Sequence, residues 1–447
     1  MYKGWKIRFG AFKKKFDQES IHLFKNSSWV TLSNALGTGY AFIKTIAITR
    51  ILGVELFGAY ALAIAFVVTT QEFFRLNISM GLIRFGAIFH KEERKDKIVS
   101  AIKFSLFLSC FSALVSILVL AIIASVSYDT FIKQPNLLPY IIGFAFANSL
   151  GFVDAIAKAA LKLFFKFKMN SIMQMMMDSL ELIIVLSTLF IFGADLQAFF
   201  IAAICARMLN SIVCNVFAYQ ELRRELKPYL ASPARNIRNH YKEFIQYIFG
   251  NSLSSSLKVF MNQGDLLLLG QLSTVYQAGL YSTAKKLAYA VLTLTDPLAS
   301  SIFPQLSHLI AGKDTAKINV MIKKITLWML LPCVLIFSVC LLFDKEIIVL
   351  LFGPAYMEAH TAFLILLVCS LQGVLSFWAL PLIQSLGLIR KRFMVYISAI
   401  IIGGLTAWLC IPYFGAAGAA IGLLSANLYI SVKFVRAGIA RLHSTTP

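Results

Sequence analysis

The side chains in this chain that could do chemistry are charges set inside long apolar runs. Near the middle of such runs stand Asp178, Glu181, Arg207 and Lys258; toward one end stand Lys44, Asp265, Lys285 and Lys286. Toward the other end stand Glu72, Arg75, Lys103, Asp154, Lys158 and Asp296. In a bilayer each mid-depth charge costs roughly 2.5–3.5 kcal/mol, so it must face water or a partner. Glu72/Arg75 and Asp154/Lys158 have the i,i+3 and i,i+4 spacing of same-face ion pairs. Lys103 lies one turn inside its run and can snorkel. Asp178 and Glu181 are like charges one turn apart with no basic residue on their own run. They fit either a proton- or cation-coupling pair or a buried pair facing cations on another helix. Lys258 and Asp265 share a helix face but stand ~10 Å apart along it, too far for a direct ion pair. Neither Arg207 nor Lys258 has an acid within a turn, which favours a water-filled cationic cavity over burial. Lys285 and Lys286 either line that cavity or snorkel outward. A cavity lined by these cations takes an anionic ligand.

Other chemistries lack their residues. The seven cysteines lie in apolar runs with no CxxC pair, and the six histidines are scattered near run ends. This is the pattern of small hydrophobes and solvated side chains, not of a disulfide frame or a metal site. No P-loop, GxSxG, HExxH or glycine-rich phosphate cradle occurs, so the expectation is a protein without catalytic residues or an organic or metal cofactor. Met173 and Met175–Met177 suit adaptable helix packing better than metal binding.

The elements that must carry these charges follow from composition. Of 447 residues, 59% are hydrophobic and 14% charged, where a soluble domain has about 25% charged. Too little polar surface remains for soluble domains, and the expected class is an all-α integral membrane protein. A span needs ~20 apolar residues, and twelve segments qualify. Six lie in the first half: Ser28–Thr49, Leu56–Leu76, Ile98–Ser127, Leu137–Ala157, Asn170–Phe192 and Gln197–Tyr219. Six lie in the second: Phe244–Gln271, Ala278–Leu309, Ile325–Phe343, Ala359–Ile383, Phe393–Ile411 and Ala416–Arg436. Pro297, Pro332 and Pro381 are candidate kinks. The division is a basic tail (1–27), a first six-helix bundle (28–219), a linker (220–243), a second bundle (244–436) and a C-terminal tail (437–447).

Lysine and arginine alternate between loops. Lys13–Lys15, the Lys91–Lys97 cluster, Lys162 to Lys168, Arg223 to Lys242, Lys323–Lys324 and Arg390–Arg392 fall on one side. The opposite loops carry only Arg50, Lys133 and Lys345. The positive-inside rule then predicts both termini in the cytoplasm, with Lys95, Arg235, Lys317 and Lys391 cytoplasmic and Lys133 and Glu358 outside. It also accounts for the net charge of +21 without nucleic acid as a partner; the basic face attracts anionic membrane lipid instead.

The two halves align weakly. Residues 43–60 and 264–281 each read as a helix end, a short turn, and Gly-x-Tyr opening the next helix. The alignment pairs Gly58 with Gly279, Tyr60 with Tyr281 and Lys44 with Asp265, as expected of parallel repeats about an axis along the membrane normal.

Arg50-Ile-Leu-Gly53 followed by Phe57-Gly58-x-Tyr60 resembles the first helix hairpin of bacterial polysaccharide flippases. These are the Wzx-type O-antigen branch of the multidrug/oligosaccharidyl-lipid/polysaccharide (MOP) exporter superfamily. Similar stretches recur along nearly the whole chain: Ala278-Gly279-x-Tyr281 after Asp265, Phe303-Pro304-x-Leu306-Ser307, Leu351-Phe352-Gly353 with Tyr356, Gln384-Ser385-Leu386-Gly387 before Arg390-Lys391-Arg392, and Gly415 to Ala420. The resemblance implies twelve helices in two six-helix bundles around a central cavity. It implies alternating access that moves a polyprenyl-diphosphate-linked glycan between leaflets of the bacterial inner membrane, with H+ or Na+ as the coupling ion. Polysaccharide polymerase and chain-length machinery are the partners it implies. Arg50 matches the family's basic hairpin residue and Asp265 its seventh-helix acid. Two alternatives stay open. A drug/cation antiporter of the same fold wants an acidic cavity. A membrane polymerase or ligase wants a large outside loop, and the longest here is about Asp344–Glu358.

Overall fold

The computed structural model describes residues 2–131, 137–293, 295, 302–303, 305–307, 309–310, 312 and 314–444, with side chains from Ser28 onward except at 127–131, 251, 254, 293 and 443–444. Among these residues every regular element is helical. In chain order they are α1 (Tyr2–Glu72), α2 (Ile78–Lys91), α3 (Lys95–Phe131), α4 (Leu138–Leu163), α5 (Phe167–Phe192), α6 (Leu196–Leu226) and α7 (Tyr241–Leu272). There follow α8 (Val275–Thr293), α9 (Thr315–Leu342), α10 (Asp344–Phe352), α11 (His360–Leu375), α12 (Ala379–Ser385), α13 (Ile389–Phe414) and α14 (Ala416–Ser444). Nine helices among the described residues are long and apolar enough to cross a membrane, and the protein is a multi-pass membrane protein. Its outer surface fits that solvent: Phe190, Tyr413, Trp328 and Leu331 are almost fully exposed, which only a lipid surround makes favourable.

α1 is two arms joined at Gly53, whose φ of 72° breaks the helix where the first hairpin turns. A side chain there would be strained, so glycine supplies the turn. The second arm ends at Glu72, short of the expected Leu76, and residues 73–77 run without helix before α2 begins. α2 lies where the sequence suggested only a loop. It is short and amphipathic, with Leu82, Phe85 and Phe89 buried, and it escapes a search for long apolar runs. The expected span Ala359–Ile383 is likewise two helices, α11 and α12, parted at residues 376–378. The expected span Ala278–Leu309 is helical as α8 to Thr293; Asp296, Pro297 and Pro304, like Lys133, lie outside the described residues. The loop expected after the ninth span folds as α10 and a 3-10 turn, Pro354–Ala359.

The linker is ordered rather than free. α6 runs on to Leu226, and 3-10 turns at Lys227–Tyr229 and Ala234–His240 follow. Lys103 reaches out of its helix to the linker backbone. Its Nζ donates to the carbonyls of Leu230 and Ser232 at 2.7 and 2.9 Å, tying the linker to α3. Ile237 and Leu226 are buried in the cluster that α2, α3, α4 and α7 share.

Packing across the two halves concentrates at the end opposite the linker. One cluster joins Phe57 and Leu62 of α1 to Phe199 and Phe200 of α6, Tyr281 of α8, and Tyr356 and Phe363 beyond α10. At its heart Gly58 and Gly279, the pair from the internal alignment, face each other. A Cβ on Gly58 would collide with the Val275 carbonyl, and one on Gly279 with the Val54 carbonyl. Only hydrogen at both positions lets α1 and α8 cross with backbones in contact.

Candidate functional site

The charges resolve into three groups, and most of them are compensated. In the first half, Lys44 of α1 bonds Glu181 of α5 at 2.5 Å, with both side chains about one quarter exposed (24% and 23%). Glu181 therefore faces a cation from another helix, one of the two arrangements its sequence context allowed. Asp178 does not share that cation: its Oδ1 accepts from Gln174 Nε2 at 2.8 Å. Gln174 in turn accepts from Lys158 at 2.6 Å. The expected Asp154/Lys158 ion pair is replaced. Asp154 accepts from Ser211 and Asn215 of α6, both at 2.6 Å, because it points across the bundle while Lys158 leans toward α5. Arg207 has its electrostatic neighbours in the same half: Glu181, Asp154 and Tyr60.

The second half has its own pair. Lys285 Nζ lies 2.6 Å from Asp265 Oδ2 with both side chains buried (12% and 6% exposed), and it also donates to the Asn262 carbonyl at 2.5 Å. The Tyr281 hydroxyl donates to the same carboxylate. Lys285 is thus a committed partner rather than a snorkelling cation. A buried pair satisfied by extra hydrogen bonds is costly to break, since the surviving charge would be left alone.

Among the described residues Arg207, Lys286 and Lys258 have no acid within 4 Å, and of these the two lysines are exposed. Lys286 is exposed and, among the described residues, reaches the Thr45 hydroxyl at 3.4 Å and the face of Phe57 at 5.0 Å, so it bridges α8 to α1. Lys258 is exposed on α7, on the helix face opposite the exposed apolar Phe249 and Leu253. It shares a face with Asn262 and Asp265, as the 3.6-residue period requires. Among the described residues neither lysine has an acidic partner within 4 Å.

Arg50 is engaged elsewhere. Its Nε donates to the Leu351 carbonyl at 2.8 Å and its NH2 to the Leu350 carbonyl. These are carbonyls of the last turn of α10, which no intrahelical N–H satisfies and where the helix dipole is negative. Beside it the Tyr356 hydroxyl donates to the Thr49 carbonyl at 3.1 Å. Nothing in the sequence singled out Tyr356 for this; its complete burial beside Phe57 is a tertiary fact.

The helix break holds a further polar cluster. Glu72 and Arg75 meet at 3.8 Å, beside a cavity of about 210 Å³ that Asn77 and Ser109 also line. From the second half, Ser252 accepts from the Asn77 N–H at 2.7 Å and Ser256 donates to the Glu72 carbonyl at 3.1 Å. The two halves are therefore joined at this end too, but through α7 rather than α8.

Comparison with known proteins agrees with this architecture. A family model described as polysaccharide biosynthesis protein matches residues 47–361, more than half of the chain. A putative O-antigen transporter of Shigella flexneri is 23% identical over 414 residues, covering 90% of this chain and 94% of that one. Among solved structures, an inward-facing multidrug resistance MATE family transporter of the MOP superfamily superposes with a TM-score of 0.72 at 14% identity, covering 92% of this chain and 95% of that one. An outward-facing structure of such a transporter gives 0.67 at 14% identity, covering 95% and 96%. The all-helical fold with its apolar spans is thus like that of the solved MATE family transporters, and the chain belongs to the polysaccharide biosynthesis protein family.

Proposed function

We propose that this protein is a flippase that carries a polyprenyl-diphosphate-linked oligosaccharide from the cytoplasmic to the periplasmic leaflet of a bacterial inner membrane. Its twelve spans form two six-helix bundles, both termini are cytoplasmic, and access to a central cavity alternates. The observation that carries this reading is the pair of exposed lysines without acidic partners, Lys258 and Lys286, in a chain of the polysaccharide biosynthesis family. A diphosphate between the bundles supplies the negative charge they lack, through charge-assisted hydrogen bonds. Lys44 and Lys285 contribute field rather than free donors, because acids already hold them, while Arg207 adds positive charge near Glu181.

Transport requires the cavity to close outside while it fills from inside. The Gly58–Gly279 crossing and the Arg50 and Tyr356 contacts make such an outer closure. A diphosphate that bridges Lys258 and Lys286 neutralises them and favours closure of the cytoplasmic side, and the outer contacts then release. Asp178, which has no cation within 4 Å among the described residues, is the carboxylate best placed to take the coupling H+ or Na+; Glu181 and Asp265 gate through the lysines they hold. A polysaccharide polymerase and chain-length machinery would receive the product. A cation antiporter fits less well, because the acids near the cavity already hold cations or hydrogen-bond donors.

Gene deletion followed by analysis of lipid-linked oligosaccharide tests the reading. The glycan accumulates on the cytoplasmic leaflet, and complementation with the wild-type chain clears it. Unchanged distribution of that lipid in the deletion strain would refute the proposal.

A further inference from the structure

We propose that Arg84 of α2 and Tyr247 of α7 form a cytoplasmic reception subsite for the phosphate–sugar end of the substrate, separate from the lysines of the cavity. This rests on the flippase reading above. The Arg84 guanidinium lies 4.3 Å from the centre of the Tyr247 ring, and Arg84 is exposed with no ion-pair partner within 4 Å among the described residues. The guanidinium carbon sits over the ring, and among the described residues no hydrogen bond or ion pair takes its N–H groups. Those N–H groups are the part that grips a phosphate in bidentate fashion. An aromatic ring beside it offers the apolar C–H face of a pyranose a complementary surface.

The subsite also has a place on a path. Tyr247 and Lys258 are eleven residues apart on α7, close to three full turns, so they share one face ~16 Å apart. Asn262 and Asp265 continue the same face. Phe249 and Leu253, exposed apolar side chains, lie on the other side of the helix and suit lipid. A ligand held at Tyr247 therefore stands at the mouth of the stripe that leads to Lys258. α2 is fixed against α7 there by Gly81, where a Cβ would press on Phe244 and Ile248. That close approach sets the Arg84 side chain over Tyr247. The nearest acid on this part of α7, Glu243, lies 3.9 Å from His240. Phe85 and Phe244 back the ring cluster at 5.1 Å.

The test is equilibrium binding to the full-length protein in phosphatidylcholine nanodiscs, with two probes. One is a polyprenyl diphosphate bearing a single N-acetylhexosamine; the other is the same lipid without sugar. R84A weakens both probes by about five- to thirtyfold. R84K recovers part of the loss, because an ammonium keeps the charge but not the fork. Y247A weakens the sugar-bearing probe more than the bare one, which a merely structural role would not do. Wild-type affinity of R84A and Y247A for both probes overturns the subsite and leaves the flippase reading standing. Loss of the R84A effect when phosphatidylglycerol is added also overturns it, since the site then holds a lipid headgroup. A wild-type protein that binds neither probe removes the flippase reading and the subsite together.

Discussion

Arg50 Nε sits 2.8 Å from the Leu351 carbonyl, so a cation of the first hairpin caps a helix that begins almost three hundred residues later. The contact joins the two halves at the end away from the linker. A hydrogen bond to a charged donor is worth about 1.5–3 kcal/mol when dry, and exposure of Arg50 reduces it to about 1 kcal/mol here. Arg50→Ala should therefore raise the outward-open fraction about fivefold. The readout is the rate at which a periplasmic thiol reagent labels a cysteine at Thr45 in a cysteine-free background. Tyr356→Phe, which removes the donor to Thr49, should act in the same direction, and unchanged labelling in both variants would contradict the closure.

Gly58→Ala and Gly279→Ala each push a methyl group into a backbone carbonyl. Overpacking of this kind costs about 1–3 kcal/mol. The expected outcome is a lower melting temperature, or the same rise in periplasmic labelling. Gly39→Ala is the control, because nothing lies within 4 Å of its Cβ; it should match the wild type.

Lys286→Ala and Lys258→Ala should weaken binding of the lipid-linked diphosphate by about 1–3 kcal/mol each, roughly five- to 150-fold. Lys258→Arg retains charge and part of the function, whereas Lys258→Glu abolishes it. Full complementation by Lys258→Glu would remove the cationic cavity, though not the family.

The Lys44–Glu181 contact separates structure from transport. Lys44→Ala strands Glu181 in a partly buried site, and Glu181→Gln strands Lys44, so each should lower the melting temperature. At one-quarter exposure the cost is about 1–3 kcal/mol, below that of a dry pair. The double variant should recover most of the lost stability. A double-mutant cycle with no coupling energy would mean the two side chains do not meet in the membrane.

Coupling should divide unequally between the neighbouring acids. Asp178→Asn is expected to leave the protein in the membrane, because Gln174 can hydrogen-bond an amide as readily as a carboxylate. Its transport should lose dependence on the ion gradient. Persistent, unchanged gradient dependence in Asp178→Asn would move the coupling site elsewhere.

The spans and the alternation of basic loops were legible in the sequence because a bilayer imposes them locally. Twenty apolar residues cross it wherever they occur, and Lys and Arg collect on one side. The Gly-x-Tyr motifs also showed locally, and Gly58 and Gly279 do face each other. Partnership was not local. Glu181 pairs with Lys44 across 137 positions, and Asp154 turns to α6 rather than to Lys158 four residues away. Which cations stayed open could not be read from depth or spacing, since that depends on which acid each neighbouring helix presents. α2 escaped for a related reason: it is too short to span, and its apolar face exists to cover α3, α4 and α7. The sequence by itself determined the all-helical membrane class, the approximate position of most apolar helices and the excess of positive charge. Only tertiary packing decided that Lys285 and Lys44 are held by acids while Lys258 and Lys286 are not, because an ion pair between helices forms only where their crossing brings the two charges within a few ångströms.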